Sequence, residues 1–284
     1  MQTGQALRMG ADTLRGAGVP DPETDAAALL CGVTALTPLA LRLTPGRELE
    51  PEQEERFRSL LLLRTRREPL QYLLGTQCFY GLDFHVDARV LIPRPETELL
   101  CELAISLLRE WETPRVADVC TGSGAIAVTL KHHCPQAEVW ATDISADALA
   151  VARENARCNA ADVHFLQGDL LEPLRNVPPL QMIVCNPPYV ERDACAALQP
   201  EVRYEPPLAL NGGADGLDFY RRLAQEAPNR LLPGGRLLLE IGDAQGAPVA
   251  ALLEATRRFT DITVRRDLCD RERFVTARCA LPPT

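Results

Sequence analysis

Lysine is almost absent from these 284 residues: Lys131 is the sole one, so arginine supplies nearly all of the 30 basic side chains that face 39 acidic ones. That preference reads as coding bias. The formal charge of −9 and the lack of a Lys/Arg-rich arm disfavour tight, nonspecific binding to nucleic acid, which depends on neutralised phosphates. No apolar run approaches the ~20 residues of a membrane helix; the longest pure leucine stretch is residues 60–63. No membrane partner is expected. Met1-Gln2-Thr3-Gly4 lacks a basic region followed by an apolar one, so no secretory signal is expected. The ten cysteines contain no C-x-x-C pair and mostly sit in apolar stretches. That suggests neither a metal site nor a disulfide framework, and favours a reducing compartment, the cytosol. What is present is ordinary globular composition, 46% apolar and 24% charged. The length suits one large domain or two unequal ones.

The first ~90 residues read as helices. Leu7, Ala11, Leu14 and Gly18 share a face, and Ala26, Leu29, Leu30 and Val33 share another after Pro22. A third helix, over about 51–67, opens with Glu52, Glu54 and Glu55 and closes with Arg64, Arg66 and Arg67, which suits the helix macrodipole. Those charges are expected to form a solvated face. Around Gly81, Cys78-Phe79-Tyr80 and Phe84-His85-Val86 predict a hairpin.

From Pro93 on, a helix over about 96–111 precedes short apolar strands that alternate with helices. Strands are predicted at 116–120, 138–142, 163–166, 182–185, 236–241, 262–266 and 274–279, and helices at 125–133, 146–158, 217–230 and 248–259. This is the pattern of a doubly wound α/β domain. The last two strands are joined by a short turn, so they pair antiparallel. Two domains follow, 1–92 and 93–284.

Chemistry concentrates at strand ends. Asp118-Val119-Cys120-Thr121-Gly122-Ser123-Gly124-Ala125 is a strand-to-helix turn whose glycines admit a ligand close to the backbone, although a plain turn reads the same way. Asp143 ends the next strand, where a carboxylate accepts ribose hydroxyls or caps the following helix. Gly168-Asp169-Leu170 follows the third strand, as an adenine contact or as a surface turn. Asn186-Pro187-Pro188-Tyr189 follows the fourth. At average composition such a string appears by chance in about one chain of this length in a thousand. Its prolines fix φ and leave the Asn186 carboxamide and the Pro187 carbonyl as preset acceptors for an NH2 group. Tyr189 offers an aromatic wall beside a cationic sulfonium.

These strings resemble the release-factor glutamine methyltransferases (the PrmC or HemK family). Others in family order are Val90-Leu91-Ile92-Pro93-Arg94-Pro95-Glu96-Thr97-Glu98, Tyr204-Glu205-Pro206-Pro207-Leu208-Ala209-Leu210, Asp215-Gly216-Leu217 and Leu238-Leu239-Glu240-Ile241-Gly242. The resemblance spans nearly the whole chain. It implies a class I methyltransferase fold, a mostly parallel seven-stranded sheet ending in an antiparallel hairpin behind a small helical domain that docks the substrate. It implies S-adenosylmethionine as cofactor and, as partner and substrate, the glutamine of the Gly-Gly-Gln loop of peptide chain release factors.

Carried over by position, Cys120, Thr121, Gly122, Ser123 and Gly124 would surround the donor's methionine part. Asp143 would hold the ribose, and Asp169 with Leu170 the adenine. Asn186 would touch donor and substrate, and Pro187, Pro188 and Tyr189 would line the substrate pocket. Cys120 stands where glycine is common, which argues against a left-handed backbone there. Leu170 replaces an aromatic found in some relatives. Arg94 and Glu96 would shape the pocket floor or cap a helix. His132 and His133 are expected to be solvated on their helix rather than catalytic. The rivals are a DNA adenine or rRNA guanine amino-methyltransferase, a non-catalytic adenosine-binding translation accessory protein, and a nicotinamide oxidoreductase. The charge, the intact Asn186 loop and the glycine pattern argue against them in turn.

Overall fold

The structure is a computed structural model that describes residues 1–280. It divides into two compact units. The first holds Met1–Thr76 together with Gln199–Tyr204, and the second holds Gln77–Leu198 and the chain from Glu205 on. The division falls at Thr76, so the hairpin groups with the second unit and not with the helical region as residues 1–92 would have it.

The first unit contains α1 (Thr3–Gly16), α2 (Pro22–Thr34), α3 (Pro38–Leu43), α4 (Pro51–Thr65) and α5 (Leu70–Leu74). Apolar side chains three and four apart on α1, α2 and α4 meet in one core that includes Leu14, Leu29, Leu30, Phe57 and Leu61. The short α3 and α5 escape a periodicity reading because each is under two turns. The basic end of α4 is not a solvated face. Arg64 is buried, and its Nε donates to Asp25 Oδ2 at 2.8 Å while its Nη2 donates to Glu201 Oε1 at 2.9 Å. Arg67 adds two bonds to the same Glu201 carboxylate. Removing one partner of a buried pair strands the other, at about 3–5 kcal/mol. Arg64→Ala should therefore destabilise this unit by about that much in denaturant unfolding. A change within about 0.5 kcal/mol, as for an ordinary surface substitution, would show the cluster to be inert.

The second unit opens with the hairpin β1 (Thr76–Phe79) and β2 (Leu82–His85), then α6 (Pro95–Leu108). A doubly wound domain follows: β3 (Arg115–Val119), α7 (Ala125–His133), β4 (Glu138–Asp143), α8 (Ala146–Cys158), β5 (Val163–Gln167), β6 (Leu180–Cys185), α9 (Asp218–Glu226), β7 (Leu231–Glu240), α10 (Gly246–Ala255), β8 (Phe259–Arg266) and β9 (Glu272–Cys279). The seven strands lie in the order β5-β4-β3-β6-β7-β9-β8. β3 to β7 pair parallel, while β9 pairs antiparallel with both β7 and β8. Both faces are covered. On β6 and β7, Met182, Val184 and Leu238 turn to one core, with α6 and α7, and Ile183, Cys185, Leu237 and Leu239 turn to the other, with α9 and α10. The helix expected over 217–230 ends at Glu226 and gives way to a 3-10 turn over Ala227–Asn229, where Pro228 lacks the N–H needed to continue. Among the described residues no helix is long and apolar enough to cross a membrane. Nor do three or more His, Cys, Asp or Glu side chains gather where they could hold a metal ion.

Candidate active site

The strand order reverses between β3 and β6, so their carboxyl ends splay and open a crevice, the place where ligands sit in open α/β sheets. A cavity of about 280 Å³ lies there, within the second unit. Its wall brings together Cys120, Gly122, Asp143, Asp169, Leu170, Asn186 and Pro188 from four different strand ends. Of the other residues expected at the site, Thr121, Ser123, Gly124, Pro187 and Tyr189 do not line this cavity.

The turn after β3 is built for close approach. Gly122 has φ +54°, and a Cβ added there would meet nothing within 4 Å. Cys120 is left-handed after all, at φ +62°. That conformation costs a non-glycine residue about 1–2 kcal/mol. Ties from the next two residues hold it: Thr121 N donates to the Thr142 carbonyl at 2.9 Å, and Gly122 N to Asp143 Oδ2 at 2.9 Å. Asp118, the penultimate residue of β3, anchors the turn from below. Its Oδ2 accepts from Thr121 Oγ1 at 2.5 Å and from Ala127 N at 3.1 Å. Burial pushes its carboxyl up to about 7, against the pull of those two bonds.

Asp143 meets the second of its two sequence readings, as a tie at the start of α8. Its Oδ1 accepts from Ser145 N at 2.9 Å beside the α8 cap, where Ser145 Oγ in turn accepts from Ala148 N at 3.1 Å. A carboxylate offers about four acceptor positions, and the Ser145, Gly122 and Ile144 N–H groups do not take all of them. Burial raises its pKa, and the Ser145 and Gly122 N–H groups oppose the rise. Asp169 is committed elsewhere. Arg222 clamps both its oxygens, at 3.0 and 2.9 Å, so any ligand shares a carboxylate that is already paired. Leu170 is buried, and its carbonyl accepts from Thr142 Oγ1 at 2.9 Å.

Asn186 leaves β6 with its Nδ2 donating to Thr97 Oγ1 at 3.3 Å, and Thr97 Oγ1 donates to Glu240 Oε2 at 2.7 Å. Tyr189 packs against the core on the α9 side, not on the cavity wall. Its carbonyl accepts from Gln245 Nε2 at 3.1 Å, and burial pushes its phenol up to about 12. The Pro93–Glu98 string gains its physical roles here. Thr97 backs Asn186, Glu98 Oε1 accepts from Tyr80 N at 2.9 Å, and Arg94 forms an ion pair with buried Glu205. Glu205 also accepts from Ile92 N at 3.1 Å, and it precedes Pro206, Leu208 and Ala209 on the cavity wall. Sequence reading found the strings that hold these residues but gave most of them no role. Arg89, Ser145, Phe219 and Arg222, also on the wall, it missed. The only signal for Ser145 was its place just after Asp143.

An α/β sheet with an antiparallel end, opening such a cavity at its strand reversal, defines a class I methyltransferase. Comparison with known proteins agrees. Residues 5–75 match the model of the PrmC N-terminal domain, and residues 97–200 that of the Methyltransferase small domain. A release factor glutamine methyltransferase of Deinococcus radiodurans is 47% identical, over 99% of this chain and 99% of that protein. One of Moorella thermoacetica is 45% identical, over 95% of each. Among solved structures, a methyltransferase from Pyrococcus furiosus superposes with a TM-score of 0.52 at 14% identity, covering 82% of this chain and all of that one. A T. thermophilus 16S rRNA methyltransferase in complex with AdoMet and guanosine gives 0.53 at 20% identity, over 72% of this chain and 49% of that one. Those two show the fold alone. The chain belongs to the release factor glutamine methyltransferases and is an enzyme.

Proposed function

We propose that this enzyme moves a methyl group from S-adenosylmethionine to the side-chain nitrogen of the glutamine in the Gly-Gly-Gln loop of peptide chain release factors. One observation carries the reading: Asn186 and Pro188 share a cavity wall with Gly122 and Asp143, so an amide acceptor and a nucleoside site face one space. The residues fit that donor. Gly122 leaves room against its backbone, Asp143 keeps acceptor positions for ribose hydroxyls, and Leu170 and Phe219 give the wall apolar surface. When bound, S-adenosylmethionine supplies an electrophilic methyl group on a cationic sulfur. Asn186, beside Pro188 on the wall, would hold the substrate NH2 toward that methyl group. An amide nitrogen is a poor nucleophile, so the loop acts by positioning and by accepting from the nitrogen as charge develops. No strong base is required, since the methylated amide cation sheds its proton readily.

Asp143→Ala should weaken binding of S-adenosylmethionine by roughly 10- to 150-fold, because a hydrogen bond to a charged group is worth about 1.5–3 kcal/mol and about 1.4 kcal/mol is tenfold. Calorimetry that returns the wild-type affinity would remove Asp143 from the ribose.

One glutamine amide resembles another, so a second contact must select the release factor. The helical unit is the candidate, as it takes no part in building the donor cavity. A chain beginning at Gln77 should keep donor binding and lose roughly 10²-fold or more in transfer to intact release factor, the scale of a lost second attachment. Transfer to a short Gly-Gly-Gln peptide should be equally poor with and without the unit. Equal rates on intact release factor would refute docking. A cytosolic setting, where thiols stay reduced, suits its ten free cysteines. The direct test is incubation with labelled methyl donor and a panel of release factor, DNA and ribosomal RNA. Label is expected in the release factor alone, and label only in nucleic acid would overturn the reading.

A further inference from the structure

Thr97 Oγ1 sits between two polar groups, 2.7 Å from Glu240 Oε2 and 3.3 Å from Asn186 Nδ2. Thr97 is 4% exposed and Glu240 2%, so bulk water does not compete for either. A hydroxyl carries one proton and two lone pairs, while an ionised carboxylate only accepts. Ionised Glu240 therefore accepts the Thr97 O–H, which leaves the hydroxyl oxygen able only to accept from its other neighbour. The group on its other side must donate. An asparagine presents either its NH2 or its carbonyl to a neighbour at almost the same shape, and here only the NH2 satisfies Thr97.

We propose that Glu240 and Thr97 are positioning residues that fix which way the Asn186 carboxamide faces, turning its NH2 to Thr97 and its Oδ1 to the substrate amide. This rests on the reading of Asn186 given above. With the carboxamide reversed, two NH2 groups would confront each other, and the substrate nitrogen would lose its acceptor.

The relay has a protonation sense. Burial pushes the Glu240 carboxyl up to about 7. The Thr97 bond opposes the rise, Glu96 reinforces it, and Arg273 on β9 and Arg94 before α6 oppose it. The Tyr189 phenol and the Cys101 thiol on α6 feel the same charge, and Tyr220 of α9 donates its hydroxyl to the Glu240 backbone carbonyl at 2.7 Å. A protonated Glu240 donates to Thr97, which frees the Thr97 proton to turn toward Asn186 and favours the reversed carboxamide. The productive orientation thus belongs to ionised Glu240, and kcat rises with pH through about 7. Stability runs the other way. The folded state binds this proton more tightly than the unfolded chain does, so the contribution is full below the ordinary carboxyl range and is lost as pH rises through about 7. A purely structural role would follow the second trend and not the first.

The test is the pH profile of kcat for the full-length enzyme on intact release factor, for wild type and Glu240→Gln, together with Thr97→Val, Thr97→Ser and Asn186→Ala. Wild-type kcat should rise through about pH 7, and Glu240→Gln should flatten that rise. Thr97→Val should lower kcat about tenfold, the scale of one hydrogen bond, with the KM for the methyl donor unchanged, and Thr97→Ser should restore it. Placed on Asn186→Ala, Thr97→Val should cost nothing further, because it acts through a side chain already gone. A rise that persists in Glu240→Gln overturns the relay, as does a Thr97→Val effect that adds to Asn186→Ala, or a Thr97→Ser enzyme as poor as Thr97→Val. If Asn186→Ala itself keeps wild-type kcat, the reading of Asn186 fails and takes the relay with it. If Asn186→Ala is impaired and Thr97→Val is not, the relay alone fails. Should Thr97→Val not fold, the Glu240→Gln profile and Thr97→Ser decide the matter.

Discussion

Asn186→Ala is expected to lower kcat by roughly 10²–10³, the scale of losing one preorganised polar group at a reacting centre. The size follows from the nucleophile. An amide lone pair is spread over the carbonyl, so reaction depends on an acceptor that orients the NH2 and favours the charge forming on nitrogen. Asn186 is half-buried at the end of β6, with Cys185 buried before it and Pro187 and Pro188 buried after it. That frame leaves little room for a water to take the carboxamide's place in the right geometry. Binding of the methyl donor should change far less than kcat, because Gly122 and Asp143 are untouched. Thermal unfolding should match wild type. Near-normal turnover in a folded variant would remove Asn186 from the reaction.

Gly212→Ala is the second large effect, at a residue outside the cavity wall. A Cβ there would lie 2.8 Å from the Pro188 carbonyl oxygen and from Tyr189 Cα, and 2.9 Å from the Tyr189 carbonyl carbon. All three are backbone atoms of the Asn186 loop, so no side chain can swing aside. The two segments are also tied on both sides of the contact, by Gly212 N to the Val190 carbonyl at 2.8 Å and by Val190 N to the Leu210 carbonyl at 2.9 Å. The loop must shift, and a misplacement of about 1 Å can cost about 10²-fold in rate. The expected result is a kcat lowered about that much, with donor affinity by calorimetry close to wild type. Gly46→Ala, where an added Cβ meets nothing within 4 Å, is the control and should leave kcat unchanged. A Gly212→Ala enzyme with wild-type kcat would show that the loop does not need its position.

The parts of the fold that were legible in the sequence are those that local pattern dictates. α7 and α8 fall on residues 125–133 and 146–158 as the glycine turn and the apolar spacing predict. β7 begins at Leu231 and not near 236, because Leu-Pro-Gly-Gly reads as a turn, yet Leu231 pairs with Leu180 across an irregular register. At the site, Gly122, Asp143 and Asn186 were legible because each closes or follows a strand, and a doubly wound sheet gathers such ends in one place. What was not legible depends on partners far apart in the chain. Arg222 lies 53 residues from Asp169, Thr97 lies 89 residues from Asn186, and Glu240 lies 143 residues from Thr97. Arg64 looked solvated because its partner Glu201 is 137 residues away. The left-handed Cys120 was misjudged for a related reason: steric preference disfavours it, and the ties to Thr142 and Asp143 that help hold the turn come from the neighbouring strand.

The central claim is that a release-factor glutamine is the methyl acceptor and that the Asn186 loop transfers to it. Fragmentation mass spectrometry of intact release factor, after reaction with wild-type enzyme and with Asn186→Ala, tests it most directly. One added methyl on the glutamine of the Gly-Gly-Gln loop, formed rapidly by wild type and roughly 10²–10³ more slowly by Asn186→Ala, is the predicted result. A methyl group on any other residue, or equal rates for the two enzymes, would contradict it.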